Sequence, residues 1–220
     1  RAQQPDATFS YGDHPLHTCD FHSTGEGARP LIVFLHGGAW QFGDKARRLQ
    51  DRKAAFAHGE GWHFAAVNFR LVPEACIAEM AGDVAAALAD IMARAAELGI
   101  DAARIVLMGH SSGAHLAALV GTDPRYLAAH ELEPHALAGV IAIDGAAYDA
   151  NRPSAGRMFE RWLVAPAFPA DCRAELSPSH HAGHGANARS FLILHADRHH
   201  GEQQARSLEQ ALRTAGTRVE

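Results

Sequence analysis

Residues 104–117 read RIVLMGHSSGAHLA: an apolar run, a turn of small residues, and the start of an apolar-patterned helix. The run shows none of the alternation of a half-exposed strand, so it predicts a strand buried on both faces. The turn Gly109-His110-Ser111-Ser112-Gly113 is a G-x-S-x-G sequence set between that strand and that helix. In this context such a turn holds its serine in a sharp, strained bend with the hydroxyl above the sheet edge. Small neighbours leave room for the bend, and the positive end of the following helix lies beneath the hydroxyl. The plain alternative is a strand-to-helix turn with glycines for packing and a capping serine.

Outward from this turn, the runs LIVFL (31–35), HFAAVNF (63–69), LAGVIAI (137–143) and SFLILH (190–195) have the same character. Between them Val84, Leu88, Ile91, Met92, Ala95 and Leu98 recur at three- or four-residue steps, one buried helical face. Residues 45–58, 112–121 and 202–215 are further helical candidates, the last closed by Gly216. The order β-α-β-α-β-α-β-x-β-α predicts a mostly parallel sheet flanked by helices, the α/β class. Two pieces ahead of it, 8–11 and 16–22, are candidate antiparallel edge strands. Residues 145–188 break the rhythm, being rich in Pro, Gly, Ala and His with a helical patch at MFERWLV (158–164), and read as a cap-like insertion over the sheet. The expectation is one domain over 1–220.

Composition removes other classes. Hydrophobic residues at 47% and charged residues at 20% exclude a disordered or collagenous chain. With 20 basic against 25 acidic residues and no basic block, no nucleic-acid partner is called for. Cys19, Cys76 and Cys172 are odd in number and form no CxxC pair, which points to a reducing compartment and a cytoplasmic location. No run approaches 18 apolar residues, so no membrane span is expected, and the opening RAQQPDATFS lacks a signal core. Because residue 1 is Arg, the start reads as processed, trimmed or partly recorded. His180, His181 and His184, with His195, His199 and His200 beyond, invite a zinc reading. Nothing reproduces HExxH, so solvated loop histidines and no metal are expected.

A second motif follows LIVFL: His36-Gly37-Gly38-Ala39-Trp40. Acyl transfer puts negative charge on an oxygen, and N–H groups of a glycine-rich turn can face it unobstructed. Gly37, Gly38 and Ala39 with Ser112 are therefore the candidate oxyanion hole, Gly38, Ala39 and Ser112 being the donors. Turns after two neighbouring buried strands meet where ligand sites form in open α/β sheets. His36 reads as a turn-shaping residue bonded to nearby backbone. Trp40, Phe159 and Trp162 are candidate walls of an acyl or aryl pocket, with buried packing as the other reading.

With HGGAW at 36–40, NFRLVPE at 68–74 and GHSSGAHLA at 109–117, the chain resembles the α/β-hydrolase family from about Leu31 to its end. Within that family it is similar to hormone-sensitive-lipase-like carboxylesterases and to kynurenine formamidase (arylformamidase)-like enzymes. The resemblance implies a serine hydrolase that cleaves small carboxylic esters through an acyl-enzyme on Ser111, or an aryl formamide as the alternative, with no cofactor. The order Ser, Asp, His selects Asp197, after the SFLILH strand, as the acid, with Asp144 as runner-up and Asp83 as a structural helix residue. The family's histidine follows the last strand, which Thr217-Arg218-Val219-Glu220 begins, so it is expected beyond Glu220. His110, His115, His199 and His200 are poorly placed substitutes. The contrasting class is a non-catalytic protein of this fold that binds a small acyl or aromatic ligand or a partner. A homodimer through an edge strand or the insertion stays among the partner expectations.

Overall fold

Apolar side chains at every position of 31–35 suit only a strand covered on both sides. They form β3 (Arg29–Leu35) in the computed structural model, which describes residues 4–46, 48–153, 158, 160–197 and 199–220. The other strands are β1 (Ala7–Ser10), β2 (Thr18–His22), β4 (His63–Val67), β5 (Ile100–His110), β6 (Gly139–Ile143), β7 (Ser190–Leu194) and β8 (Arg218–Val219). They make one sheet in the order β1-β2-β4-β3-β5-β6-β7-β8. The β1–β2 and β2–β4 pairs are antiparallel and every later pair is parallel. The N-terminal pieces are thus the antiparallel edge that the sequence suggests, and the mostly parallel α/β sheet is as expected.

Between the strands lie α1 (Arg48–Gly59), α2 (Ile77–Ala93), α3 (Ser112–Thr122), α4 (Pro124–Ala128), α5 (Pro178–Ala182) and α6 (His199–Thr214). Strand periodicity sorts the core into two layers. Leu31, Val33, Leu35, Ile105, Leu107, Val140 and Ala142 pack on the side that takes α2 and α3. Ile32, Phe34, Phe64, Ala66 and Met108 face Ala54 and Ala57 of α1. Helix α2 buries Ile77, Met80, Ala81, Val84, Leu88 and Ile91, and every residue of α3 is buried, the mark of a helix inside the molecule.

Among the boundaries that differ from the sequence reading are those of β4, β5 and β6. Strand β4 stops at Val67, because Asn68 turns its side-chain oxygen to the Lys45 N–H (2.6 Å) and its amide to the Asp44 carboxylate (2.9 Å). Strand β5 starts four residues early, although its Asp101–Arg104 stretch is mostly exposed. Strand β6 starts at Gly139, after a short 3-10 turn at Pro134–Ala136. In the inserted region, the MFERWLV patch contains a π-helical turn over Glu160–Val164. No described helix is long and apolar enough to cross a membrane.

The register levels the strand ends that matter. Leu35 pairs with Gly109 and His110 with Ile143, while Ile143 pairs with Leu194. The turns after β3, β5, β6 and β7 therefore leave the sheet side by side.

Candidate active site

A strand that must turn at once into a helix leaves its last residue little choice of conformation, and Ser111 takes up the strain. Its φ of 54° and ψ of −119° lie outside the favoured regions for an L-residue. The bend holds because its surroundings over-determine it. The Ser111 N–H donates to the Ile143 carbonyl (2.9 Å), and its own carbonyl accepts the Ala114 N–H (3.0 Å). A Cβ on Gly109 would lie 2.1 Å from the Gly113 oxygen, and one on Gly113 would lie 2.4 Å from the Leu35 oxygen and 2.5 Å from the His36 oxygen. Only glycine admits these backbone approaches. Among the described residues the Ser111 hydroxyl has no hydrogen-bond partner.

The His36–Trp40 turn lies directly against this bend. A Cβ on Gly37 would stand 3.1 Å from Ser111 Cβ. Gly38 has φ of 147°, and a Cβ there would sit 1.8 Å from the Phe42 oxygen. Its carbonyl accepts the N–H groups of Gln41 (3.1 Å) and Phe42 (2.9 Å), which folds the loop back. Ala39 and Trp40 follow at φ of 53° and 60°. The N–H groups of Gly38 and Ala39 are engaged by no described residue, and that of Ser112 is an orphan of the first helical turn. The candidate oxyanion residues Gly37, Gly38, Ala39 and Ser112 are thus brought to Ser111. Among the described residues, five of the six non-glycine positive-φ positions (Ala39, Trp40, Ser111, Asp144 and Ala147) fall in the turns that follow β3, β5 and β6.

His36 shapes its own turn. Its Nδ1 lies 3.2 Å from the Gly37 carbonyl, its ring stacks on Phe69 at 4.5 Å, and a Cβ on Gly43 would collide with it. Trp40 is 1% exposed, packed edge-on to His115 and Phe168, so the packing reading describes it and not an open pocket wall. Its indole N–H points to His115 Nδ1 (3.4 Å), while His115 Nε2 donates to the Leu176 carbonyl (2.8 Å). Burial pushes the His115 imidazole down to about 4, against the pull of the Leu176 bond. It is a neutral strut joining the His36–Trp40 turn, α3 and the chain at Leu176. Trp162 is exposed, and Phe159 lies outside the described residues.

The acid candidates come from adjacent strand ends. Asp144, at φ of 48°, donates its N–H to the Leu194 carbonyl (2.6 Å) and accepts the Ala196 N–H on its carboxylate (3.2 Å). Asp197 lies one residue further, exposed. Asp83 is 4% exposed and holds Arg70 through Nε (2.9 Å), Nη2 (2.7 Å) and the backbone N–H (3.0 Å), a scaffold role. From there Val72 N–H reaches the Trp40 carbonyl (2.9 Å), which links the NFRLVPE stretch to the His36–Trp40 turn. His181 donates to the Glu175 carbonyl (2.7 Å), and the rings of His180, His181 and His184 meet edge to face. His199 is not among the described side chains.

Two positioning residues escaped the sequence reading. Fully buried Gln204 of α6 accepts the Asp149 N–H (2.8 Å) and donates to the Asp149 (3.0 Å) and Arg152 (3.2 Å) carbonyls, fixing the chain after β6. His115, a poorly placed base by sequence, is a bonded strut, the role that a histidine inside an all-buried helix signals.

The BD-FAE family model matches residues 20–209. Esterase LipC of Mycobacterium tuberculosis is 32% identical over 127 residues, which are 54% of this chain and 30% of that protein. The isoprenylcysteine alpha-carbonyl methylesterase ICME of Arabidopsis thaliana is 31% identical over 125 residues, 53% of this chain and 27% of that protein. The chain thus matches less than a third of the length of these relatives. Among solved structures, Thermogutta terrifontis esterase 2 phosphonylated by sarin superposes with a TM-score of 0.82 at 23% identity, covering 99% of this chain and 83% of that one. Esterase B from Lactobacillus rhamnosis gives 0.80 at 17% identity, covering 100% and 75%. At these identities the likeness is one of fold, and that fold is the expected α/β-hydrolase sheet.

Proposed function

The chain belongs to the BD-FAE family, and on that premise we propose that it is a serine esterase whose nucleophile is Ser111. One observation carries the reading: a serine strained to φ of 54° lies against a glycine turn with unengaged N–H groups, at one sheet edge. Strain of this kind is maintained where it positions a reacting atom. The named relatives are an esterase and a methylesterase, which supports the same chemistry.

In this proposal Ser111 Oγ attacks the acyl carbon of a small carboxylic ester and passes its proton to a histidine. The N–H groups of Gly38, Ala39 and Ser112 hold the oxyanion, a contribution of several kcal/mol to the lowered barrier. Collapse expels the alcohol, which takes the proton from the imidazole, and water then cleaves the acyl-enzyme by the same route. Asp197 orients the imidazole. An aryl formamide would enter by the same steps. The segment from Gly145 to Ala188 acts as a small cap. Cys19, Cys76 and Cys172 are free thiols, which suits the cytoplasm as its compartment.

The test is a fluorophosphonate probe followed by intact mass and peptide mapping on the full-length protein, with Ser111→Ala alongside. One adduct on Ser111, absent in the variant, supports the esterase. No adduct under conditions that label a control esterase leaves a ligand-binding protein of this fold.

A further inference from the structure

The described surface carries large apolar side chains that the core does not explain, and one of them, Phe42, belongs to the loop that faces Ser111. Phe42 is 58% exposed, Trp162 65% and Met158 77%. Trp is mostly buried in folded proteins, so an indole left in water on a segment bonded to the loop that faces Ser111 invites a functional account. Two bonds place Phe42 and Trp162 on this loop. The Phe42 N–H is held by the Gly38 carbonyl (2.9 Å), inside the turn that faces Ser111. The side-chain amide of the preceding Gln41 donates to the Trp162 carbonyl (3.5 Å), which brings the inserted segment to the same loop. Arg161 sits over the indole at 5.6 Å and covers part of one face.

We propose that Phe42 and Trp162 form an apolar rim that selects esters with a long hydrocarbon group over esters with a short one. This rests on the esterase reading and deepens it. A short acyl or alkyl group ends within the turn and gains nothing from the rim. A longer chain or ring extends past Gly38 and removes the exposed faces of Phe42 and Trp162 from water. Such contacts are made equally in the ground state and the transition state, so they lower KM and leave kcat nearly unchanged.

The experiment has two parts. Turnover is measured on vinyl acetate against vinyl octanoate and on ethyl acetate against octyl acetate, for the wild type, Phe42→Ala and Trp162→Ala. In at least one series the wild type should favour the long ester through KM. Each substitution should raise KM for that ester about tenfold, with the short ester and kcat within about twofold. Binding without turnover is read on Ser111→Ala from tryptophan emission during titration with the same esters, the signal being lost when Trp162→Ala is added. A wild type without turnover, together with a long-ester binding preference on Ser111→Ala that needs Phe42, supports the rim while refuting the esterase. Equal handling of short and long esters in both series, or a preference that survives both substitutions, overturns the rim whatever becomes of the esterase.

Discussion

Acidification should expose the cost of keeping His115 neutral. Its Nε2 proton is committed to the Leu176 carbonyl at 2.8 Å, and its Nδ1 lone pair faces the Trp40 N–H at 3.4 Å. A second proton could go only to Nδ1, where it would oppose another donor inside an apolar shell. The imidazole titrates at about 4 in the folded chain against an ordinary 6.5. Between those values the unfolded chain binds the proton and the folded one does not, so stability falls as pH drops from 6.5 to 4. Two and a half units correspond to about 3 kcal/mol. Urea denaturation at pH 7 and pH 4, on wild type and His115→Gln, isolates this share by difference. The wild type should lose about 3 kcal/mol more than the variant over that interval. Parallel losses would refute the strut, since His115 would then titrate alike in both states.

Other outcomes follow from the same contacts. Gly38→Ala places a Cβ 1.8 Å from the Phe42 oxygen, and should cut kcat about 10²- to 10³-fold by displacing the oxyanion donors; p-nitrophenyl acetate turnover reads it. Asp83→Asn removes the charge that grips Arg70 and should cost roughly 3 kcal/mol in urea melts. Asp197→Asn should lower kcat by about 10⁴, while Asp144→Asn, whose backbone stitch to Leu194 persists, should change it less than about tenfold; the reverse ranking moves the acid to Asp144. In the full-length enzyme kcat/KM should fall below about pH 6.5 as the base takes up a proton, and a flat profile from pH 5 to 8 would exclude imidazole.

What the sequence discloses and what it hides divide along a physical line. LIVFL is legible as a buried strand because coverage on both faces demands apolar residues at every position. Ser111 and the His36–Trp40 turn are legible because their backbone geometry restricts residue type, glycine above all. Trp40, His115 and Gln204 are not, since their roles depend on Phe168, Leu176 and Asp149, partners 55 to 128 positions away that no local pattern announces. Asp144 and Asp197 stand between these cases. Each follows a strand, and only the pairing of β6 with β7 reveals that the two carboxylates leave the sheet together.

The contact of backbone on backbone at Gly109, Gly113 and Leu35 bears on how such a chain can change over generations. With no side chain between strand and helix, the bend carrying Ser111 has no packing residue through which gradual substitution could re-aim it. Drift in the surrounding core can alter stability, but Ser111 keeps its station until a glycine is lost, and then it moves abruptly. On the proposed esterase reading, new substrate ranges must therefore arise in the segments around that fixed point, such as the loop after Trp40 and the stretch between β6 and β7. Random libraries should recover altered selectivity from those two regions and inactive clones from the turn itself.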